Sequence, residues 1–251
     1  MIADSLYDSL AAAYETSASR RLYRWCAERL SQQLPPLSAG RGLELGCGTG
    51  LSTEVFCDRL PLEWVGLDAS SKMLAVARAK PQLASVVFHD GKAEKLPFPE
   101  ACFDLITCNV ALHWFDLDAA VREMKRVLVP GGLLALMVPL RRPAGTLLGN
   151  RLVRRTLFAL RRQVQSLQSQ GLTHEELEVA LADWQVLKAE TLQVAESFQT
   201  SSALSEELQS RGSLQAVFGP LARPAARLLA EAEPMPLDFQ WSFACILAKN
   251  E

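Results

Sequence analysis

Residues 43–50 read LELGCGTG, and this stretch constrains the fold more than any other. Gly46, Gly48 and Gly50 follow a short apolar run and precede a helix-compatible segment. Glycine allows a left-handed backbone and lets a ligand approach the main chain closely. A strand ending in such a loop, with a helix directly after it, is the first crossover of a doubly wound sheet. There, ligands bind at the carboxyl ends of the strands. The surrounding sequence agrees. Apolar runs bounded by Gly, Pro and Asp fall at 42–46, 63–68, 85–89, 103–109 and 132–138, with helical patterns at 50–60, 70–80 and 116–128. This alternation predicts an α/β fold whose parallel sheet has helices on both faces. Pro130-Gly131-Gly132 is expected to form a turn ending the third of these helices.

The flanks have a different texture. The first 34 residues carry Leu22, Trp25, Cys26 and Leu30 at helical spacing before Pro35-Pro36, which predicts a helical cap. Residues 35–140 are expected to make the cofactor-binding core. Residues 146–168 form a basic helical pattern with Leu148, Leu152, Leu157, Leu160, Val164 and Leu167 on one face. The span 141–182 therefore reads as a helical insertion on the acceptor side. Residues 183–251 complete the sheet, with strands expected near 183–194 and 238–249 and a helix near 201–212. A chain of 251 residues that is 49% hydrophobic can bury one core as a single domain.

Composition narrows the partners. The net charge is -2, which makes no case for nucleic acid or a membrane surface. The amino terminus lacks a basic segment followed by an apolar run, and no apolar stretch is long enough to span a bilayer, so a cytoplasmic protein is expected. The six cysteines include no C-x-x-C pair, and the three histidines do not cluster with them. Reduced thiols and no metal are the expectation.

Asp68 ends the next strand, 22 residues after Gly46, at the spacing of a carboxylate that accepts ribose hydroxyls. The glycines do not follow the dinucleotide pattern, because Leu51 stands where its third glycine belongs, and no Gly-Lys-Ser/Thr marks a P-loop. Glu44, inside the strand, would repel a pyrophosphate and favours a ligand with an ammonium group.

These residues resemble the class I S-adenosylmethionine-dependent methyltransferases of the type 11 branch. The likeness rests on LELGCGTG (43–50), GLDASSKML (66–74), EKLPFPEACFDLITCNVALHW (94–114) and REMKRVLVPGGLLAL (122–136). It implies a Rossmann-like seven-stranded sheet, mostly parallel, whose last strand is antiparallel, with S-adenosyl-L-methionine as cofactor. It further implies that Gly46, Cys47 and Gly48 line the methionine part, Asp68 holds the ribose and Met73 packs on the adenine. Asn109 and Leu112 would lie beneath the methionine part. The family usually has an acidic residue before the Ala-Glu of its Leu-Pro-Phe motif; here that residue is Lys92. Asp90 through a shifted loop, and the backbone of Ala93, are the remaining candidates facing the adenine. Tyr14, and less closely Tyr7, resemble the amino-terminal tyrosine that covers the cofactor in this branch.

Methyl transfer needs alignment and exclusion of water, with a general base only where the acceptor must lose a proton. His113 is the candidate base, and the competing reading is a hydrogen bond to nearby backbone. Trp114 either closes over the site or anchors the next helix. Residues 141–174 hold seven arginines, among them Arg141, Arg142 and Arg151, and no acidic residue. They form either a solvated face or a surface for an anionic acceptor. The order of elements beyond residue 183 resembles the malonyl-[acyl carrier protein] O-methyltransferases of biotin synthesis, which implies a carrier-bound malonyl carboxylate as acceptor. The segment after Gly212 departs from that family's pattern. A different small acceptor (a quinone precursor, a lipid or a free carboxylic acid) and a non-catalytic cofactor-binding adaptor are the alternatives.

Overall fold

The computed structural model describes Asp8, Ala11, Tyr14, Glu15 and residues 19–141, 171–198 and 237–250. In chain order these form α1 (Ser19–Ser31), β1 (Arg41–Leu45), α2 (Leu51–Arg59), β2 (Glu63–Asp68), α3 (Ser71–Arg78), β3 (Val87–Asp90), β4 (Phe103–Asn109), α4 (Leu117–Val127), β5 (Leu128–Pro139), α5 (His174–Ala180), β6 (Gln185–Phe198) and β7 (Leu237–Lys249). The seven strands form one sheet in the order β3-β2-β1-β4-β5-β7-β6. The neighbours from β3 to β5 pair in parallel. β7 runs antiparallel to both β5 and β6, so the expected architecture, including the reversed last strand, is the observed one. The order changes direction beside β1 and β4, which opens a crevice at their carboxyl ends.

Both faces of the sheet are covered, which is why its central strands are nearly continuous apolar runs. Leu43, Leu45, Ile106 and Leu134 pack with Val121 and Met124 of α4 and Leu177 of α5. On the other face Leu105, Ala135 and Met137 pack with Leu22, Cys26 and Leu30 of α1 and with Val55 and Phe56 of α2. The helix starts follow local chemistry. The Ser70 hydroxyl accepts from Met73 N, Asp116 accepts from Ala119 N, and Thr173 and Glu176 form a capping box. Each satisfies an amide the first turn leaves unpaired.

Two local expectations change. Pro130-Gly131-Gly132 does not form a separate turn. β5 starts directly after α4 and runs through it, because Gly131 N donates to Asn250 O at 2.7 Å and Asn250 N donates to Gly132 O at 2.9 Å. The end of β7 thus draws the glycines into the sheet. β3 is shorter than expected, since Pro81–Leu83 forms a 3-10 turn and pairing with β2 begins only at Val87. Within the expected insertion 141–182, α5 is seen, while the basic helical pattern 146–168 and the expected helix 201–212 lie outside the described residues. No helix among the described residues is long and apolar enough to cross a membrane.

Candidate active site

The glycine loop is bent by left-handed residues at Gly46, Gly48 and Gly50. Gly46 has φ 67° and Gly48 φ 54°. A Cβ on Gly46 would stand 2.4 Å from the Ala111 methyl carbon, so the loop presses directly against the end of β4. A Cβ on Gly48 would meet nothing within 4 Å, so its conformation, not its packing, calls for glycine, and its backbone borders open space. The loop is then tied to β2. Gly46 N and Cys47 N both donate to Leu67 O, at 2.8 and 3.1 Å, and Gly48 N donates to Asp68 Oδ2 at 2.8 Å. The other Asp68 oxygen accepts from Ser70 N at 2.8 Å. Two amides therefore orient this carboxylate, and each of its oxygens can accept more than one hydrogen bond.

Around this carboxylate lies an open cleft of about 170 Å³. Gly46, Gly48, Asp68, Met73, Ala93 and Asn109 are on its wall, with Tyr14, Lys92, Glu94, Val110, Trp114 and Phe115 around them. Val110 holds φ 59°, a strained backbone for a β-branched residue. It is kept there by Val110 N donating to Met137 O at 2.8 Å. Tyr14 stacks on Tyr23 of α1 with ring centroids 5.5 Å apart. Its neighbour Glu15 bonds Lys80 at 2.7 Å, and Lys80 also bonds Glu54 at 2.8 Å. Arg24 reaches Glu54 at 2.6 Å. This mostly buried charge network links the residues around Tyr14 to α1, α2 and the end of α3.

Beneath the loop runs a buried polar row. Glu44 of β1 is register partner to Thr107 of β4, so the two side chains share one face of the sheet, and Asn109 follows on the same face. Glu44 Oε2 accepts from Thr53 Oγ at 2.5 Å, and Asn109 Nδ2 donates to Tyr23 O at 3.0 Å. The opposite atoms, Glu44 Oε1 and Asn109 Oδ1, are buried without a hydrogen-bond partner, as are the hydroxyls of Thr49 and Thr107. Burial, assisted by the nearby Asp68 charge, pushes the Glu44 carboxyl up to about 7, against the bonds from Ser52 and Thr53 that pull it down. Buried polar groups left unpaired are costly, and a row of them beside a ligand cleft marks where a polar ligand or bridging water belongs.

Comparison with known proteins fits this geometry. Residues 43–136 match the type 11 family model, described as a methyltransferase domain. Over that stretch the chain is similar to a methyltransferase domain. It is 40% identical over 123 residues to a malonyl-[acyl-carrier protein] O-methyltransferase from Erwinia pyrifoliae, covering 48% of this chain and 45% of the relative. It is 37% identical over 115 residues to a trans-aconitate 2-methyltransferase from Deinococcus radiodurans, covering 45% and 44%. The matched stretch thus spans less than half of either relative. In structure it resembles geranyl diphosphate C-methyltransferase from Streptomyces coelicolor A3(2), solved with magnesium, geranyl diphosphate and S-adenosyl-L-homocysteine. The TM-score is 0.60 at 15% identity, over 92% of this chain and 81% of the other.

The geranyl diphosphate C-methyltransferase structure holds S-adenosyl-L-homocysteine, and the residues present here fit a ligand of that kind. The open face at Gly48 admits a ligand against the backbone, the oriented Asp68 carboxylate suits a ribose diol, and the unpartnered Asn109 and Glu44 oxygens suit a cationic amino-acid end. Of the residues singled out from sequence, Tyr14, Gly46, Gly48, Asp68, Met73, Ala93, Asn109 and Trp114 line the cleft. Others do not. Glu44 lies one layer below the wall, bonded to Thr53. Cys47 is buried, with its sulfur packed towards Gly66 of β2; burial holds that thiol well above its usual range. At Gly50, a Cβ would stand 2.5 Å from Leu83, on the α2 side of the loop. Asp90 is exposed at the end of β3, and Leu112 is a core residue in the 3-10 turn after β4. His113 is off the wall too: its ring rests on Trp114 with centroids 4.9 Å apart, and its Nδ1 is buried without a hydrogen-bond partner. Burial pushes its imidazole down to about 4. Arg141 is exposed and spans 3.0 Å to Glu176 at the start of α5, so its charge is already matched. Arg142, Arg151 and Tyr7 lie outside the described residues. Sequence reasoning missed Ser70, Glu94, Val110 and Phe115. The serine was legible as a helix cap beside Asp68; the left-handed Val110 had no sequence signal, since it is imposed by β5.

Proposed function

We propose that this protein is a methyltransferase acting on an ionised carboxylate, and that its acceptor is the free carboxylate of a malonyl thioester on acyl carrier protein. The observation that carries this reading is the position of His113. It is off the cleft wall, and burial holds it neutral and weakly basic near neutral pH. Among the described residues no histidine lines the cleft, so the most common general base is missing from the reacting surface. A carboxylate arrives already ionised and needs no base. When bound, the cofactor supplies an electrophilic methyl group on a sulfonium. The chain supplies position: the Gly46–Gly48 loop and Asp68 hold one end, while Asn109 and the strained Val110 present the floor. Tyr14, Trp114 and Phe115 add aromatic rings to the cleft lining, which limits water. Alignment and dryness are what such a displacement requires.

The malonyl assignment is supported by the Erwinia pyrifoliae relative and by the order of elements after residue 183. The Deinococcus radiodurans relative, whose name specifies trans-aconitate, favours a second reading: a free small carboxylic acid. Calorimetric titration with S-adenosylhomocysteine, then methyl-transfer assays on malonyl carrier protein and on free di- and tricarboxylic acids, separates the two. Transfer to the carrier-bound malonyl group alone supports the first reading. Transfer to free acids alone replaces it with the second. Binding with transfer only to phenols or carbon acids overturns the carboxylate reading.

A further inference from the structure

The nucleobase end of the cleft is bordered by a cation. The strand order fixes the sequence of subsites: the glycine loop follows β1, Asp68 ends β2, and residues 91–93 follow β3. Asp68 and Asp90 are register partners, and Gly91 N donates to Asp68 O at 3.0 Å. The segment beyond β3 therefore sits beside the ribose carboxylate, on the side away from the glycine loop. A nucleoside whose diol rests on Asp68, and whose substituent runs towards Gly48, must extend its base over Gly91, Lys92 and Ala93. The walls there suit a flat ring. Met73 and Ala93 are each 1% exposed, and a Cβ on Gly91 would stand 3.2 Å from Leu67, so the chain lies close against the strand. Lys92 is exposed and lines the cleft. Of the two carboxylates equally near it along the chain, Asp90 does not line the cleft, and Glu94 does but accepts from Asp116 N at 2.9 Å through Oε1.

We infer that Lys92 sets the base specificity of this cofactor site, donating to acceptor atoms on the purine edge and so favouring a 6-oxo purine as much as, or more than, a 6-amino one. The inference rests on the cofactor reading above. An ammonium group can only donate. The exocyclic amine of adenine is also a donor and offers Lys92 nothing, which leaves the ring nitrogens. A 6-oxo purine places a carbonyl acceptor at that position. A carboxylate at residue 92 would reverse the preference, because it accepts from the amine and repels the carbonyl.

The test is calorimetric and independent of turnover. S-adenosylhomocysteine and S-inosylhomocysteine are titrated into the wild type, Lys92→Asp and Lys92→Met. The wild type is expected to bind the inosyl ligand at least as tightly as the adenosyl one. Lys92→Asp should move the affinity ratio towards the adenosyl ligand by about tenfold or more, the size of one charged hydrogen bond gained or lost. Lys92→Met should fall between the two. An unchanged ratio in both variants, with both ligands still binding, overturns the inference. So does a wild type that prefers the adenosyl ligand by more than about tenfold, a gap of roughly one charged hydrogen bond. If neither ligand binds the wild type, the cofactor reading itself fails and this inference falls with it.

Discussion

The two ends of the sheet are built by different means. At the β3-β2-β1-β4 end, short strands are joined by crossovers, and the site is made where they end. A few residues do most of the shaping: left-handed Gly46 and Gly48, a carboxylate fixed by two amides, and a strained Val110. At the other end, β6 and β7 form a long antiparallel pair from Phe198–Leu237 to Gln185–Lys249. Val186 and Leu187 of β6 are 47% and 49% exposed, and Lys188 bonds Gln33 at the surface. Function at the first end depends on backbone conformation and buried polar groups, which tolerate little change. The second end depends on repeated strand pairing, in which each side chain matters less.

The sharpest way to break this contrast is Gly46→Ala. The new methyl group meets Ala111 at 2.4 Å in a left-handed backbone, so a loss of about 3 kcal/mol or more is expected from overpacking and strain together. Urea unfolding measures it; a loss below about 1 kcal/mol would mean the loop and β4 relax freely, against the usual cost of overpacking.

Asp68→Asn comes next. It weakens the bonds from Gly48 and Ser70 and removes the charge facing the diol. A fall in S-adenosylhomocysteine affinity of about 10- to 100-fold is expected, the worth of one or two charge-assisted bonds. Unchanged affinity in calorimetry would place the ribose elsewhere.

Glu44 adds a pH signature. Its carboxyl ionises near 7 in the fold and near 4.5 when unhindered. Between these values the folded state holds more protons than the unfolded one. Stability therefore falls as pH rises from about 4.5 to about 7 and stays lower above, by up to roughly 3 kcal/mol. Glu44→Gln should lack this slope, so the stability of the variant relative to wild type should grow between pH 5 and pH 8. A constant gap in denaturation midpoints across that range would show that Glu44 does not titrate there. A cofactor ammonium favours the ionised form, so binding to the wild type at pH 6 should release protons; calorimetry in buffers of different ionisation enthalpy detects them. The groups near this carboxyl include the thiols of Cys47, Cys57 and Cys108, all held above their usual range by burial, and the Asp68 carboxylate.

His113→Asn should leave transfer to a carboxylate acceptor within about threefold of wild type, because base catalysis is normally worth about 100-fold or more and is not used. A loss of that larger size in initial-rate assays would restore His113 as a base. The smallest effect is expected at the other end of the sheet. Val186→Thr, on the exposed strand β6, should change unfolding free energy by no more than about 0.5 kcal/mol. A larger loss would show that this end is as tightly specified as the cofactor end.

Much of the core was legible because its signals are local. Strand, glycine loop and helix follow one another within residues 41–59, and Asp68 with the Ser70 cap lies within the next crossover. Short-range hydrogen bonds and φ preferences write such features directly into neighbouring residues. Pairs that meet across the chain were not legible: Gly131 with Asn250, Asn109 with Tyr23, Glu15 with Lys80.

By itself the sequence determined the strand–helix alternation, the parallel core, the glycine loop and the carboxylate at the end of β2, while the reversed last strand followed from the family resemblance. Tertiary structure alone decided which of the named side chains reach the cleft. It withdrew His113 and Glu44 from the wall, spent the charge of Arg141 on Glu176, forced Val110 left-handed and set Lys92 on the cleft wall. The physical reason is that periodicity and propensity act over one or two turns of chain. Burial, orphaned hydrogen bonds and shifted ionisation arise only when strands distant in sequence are packed side by side.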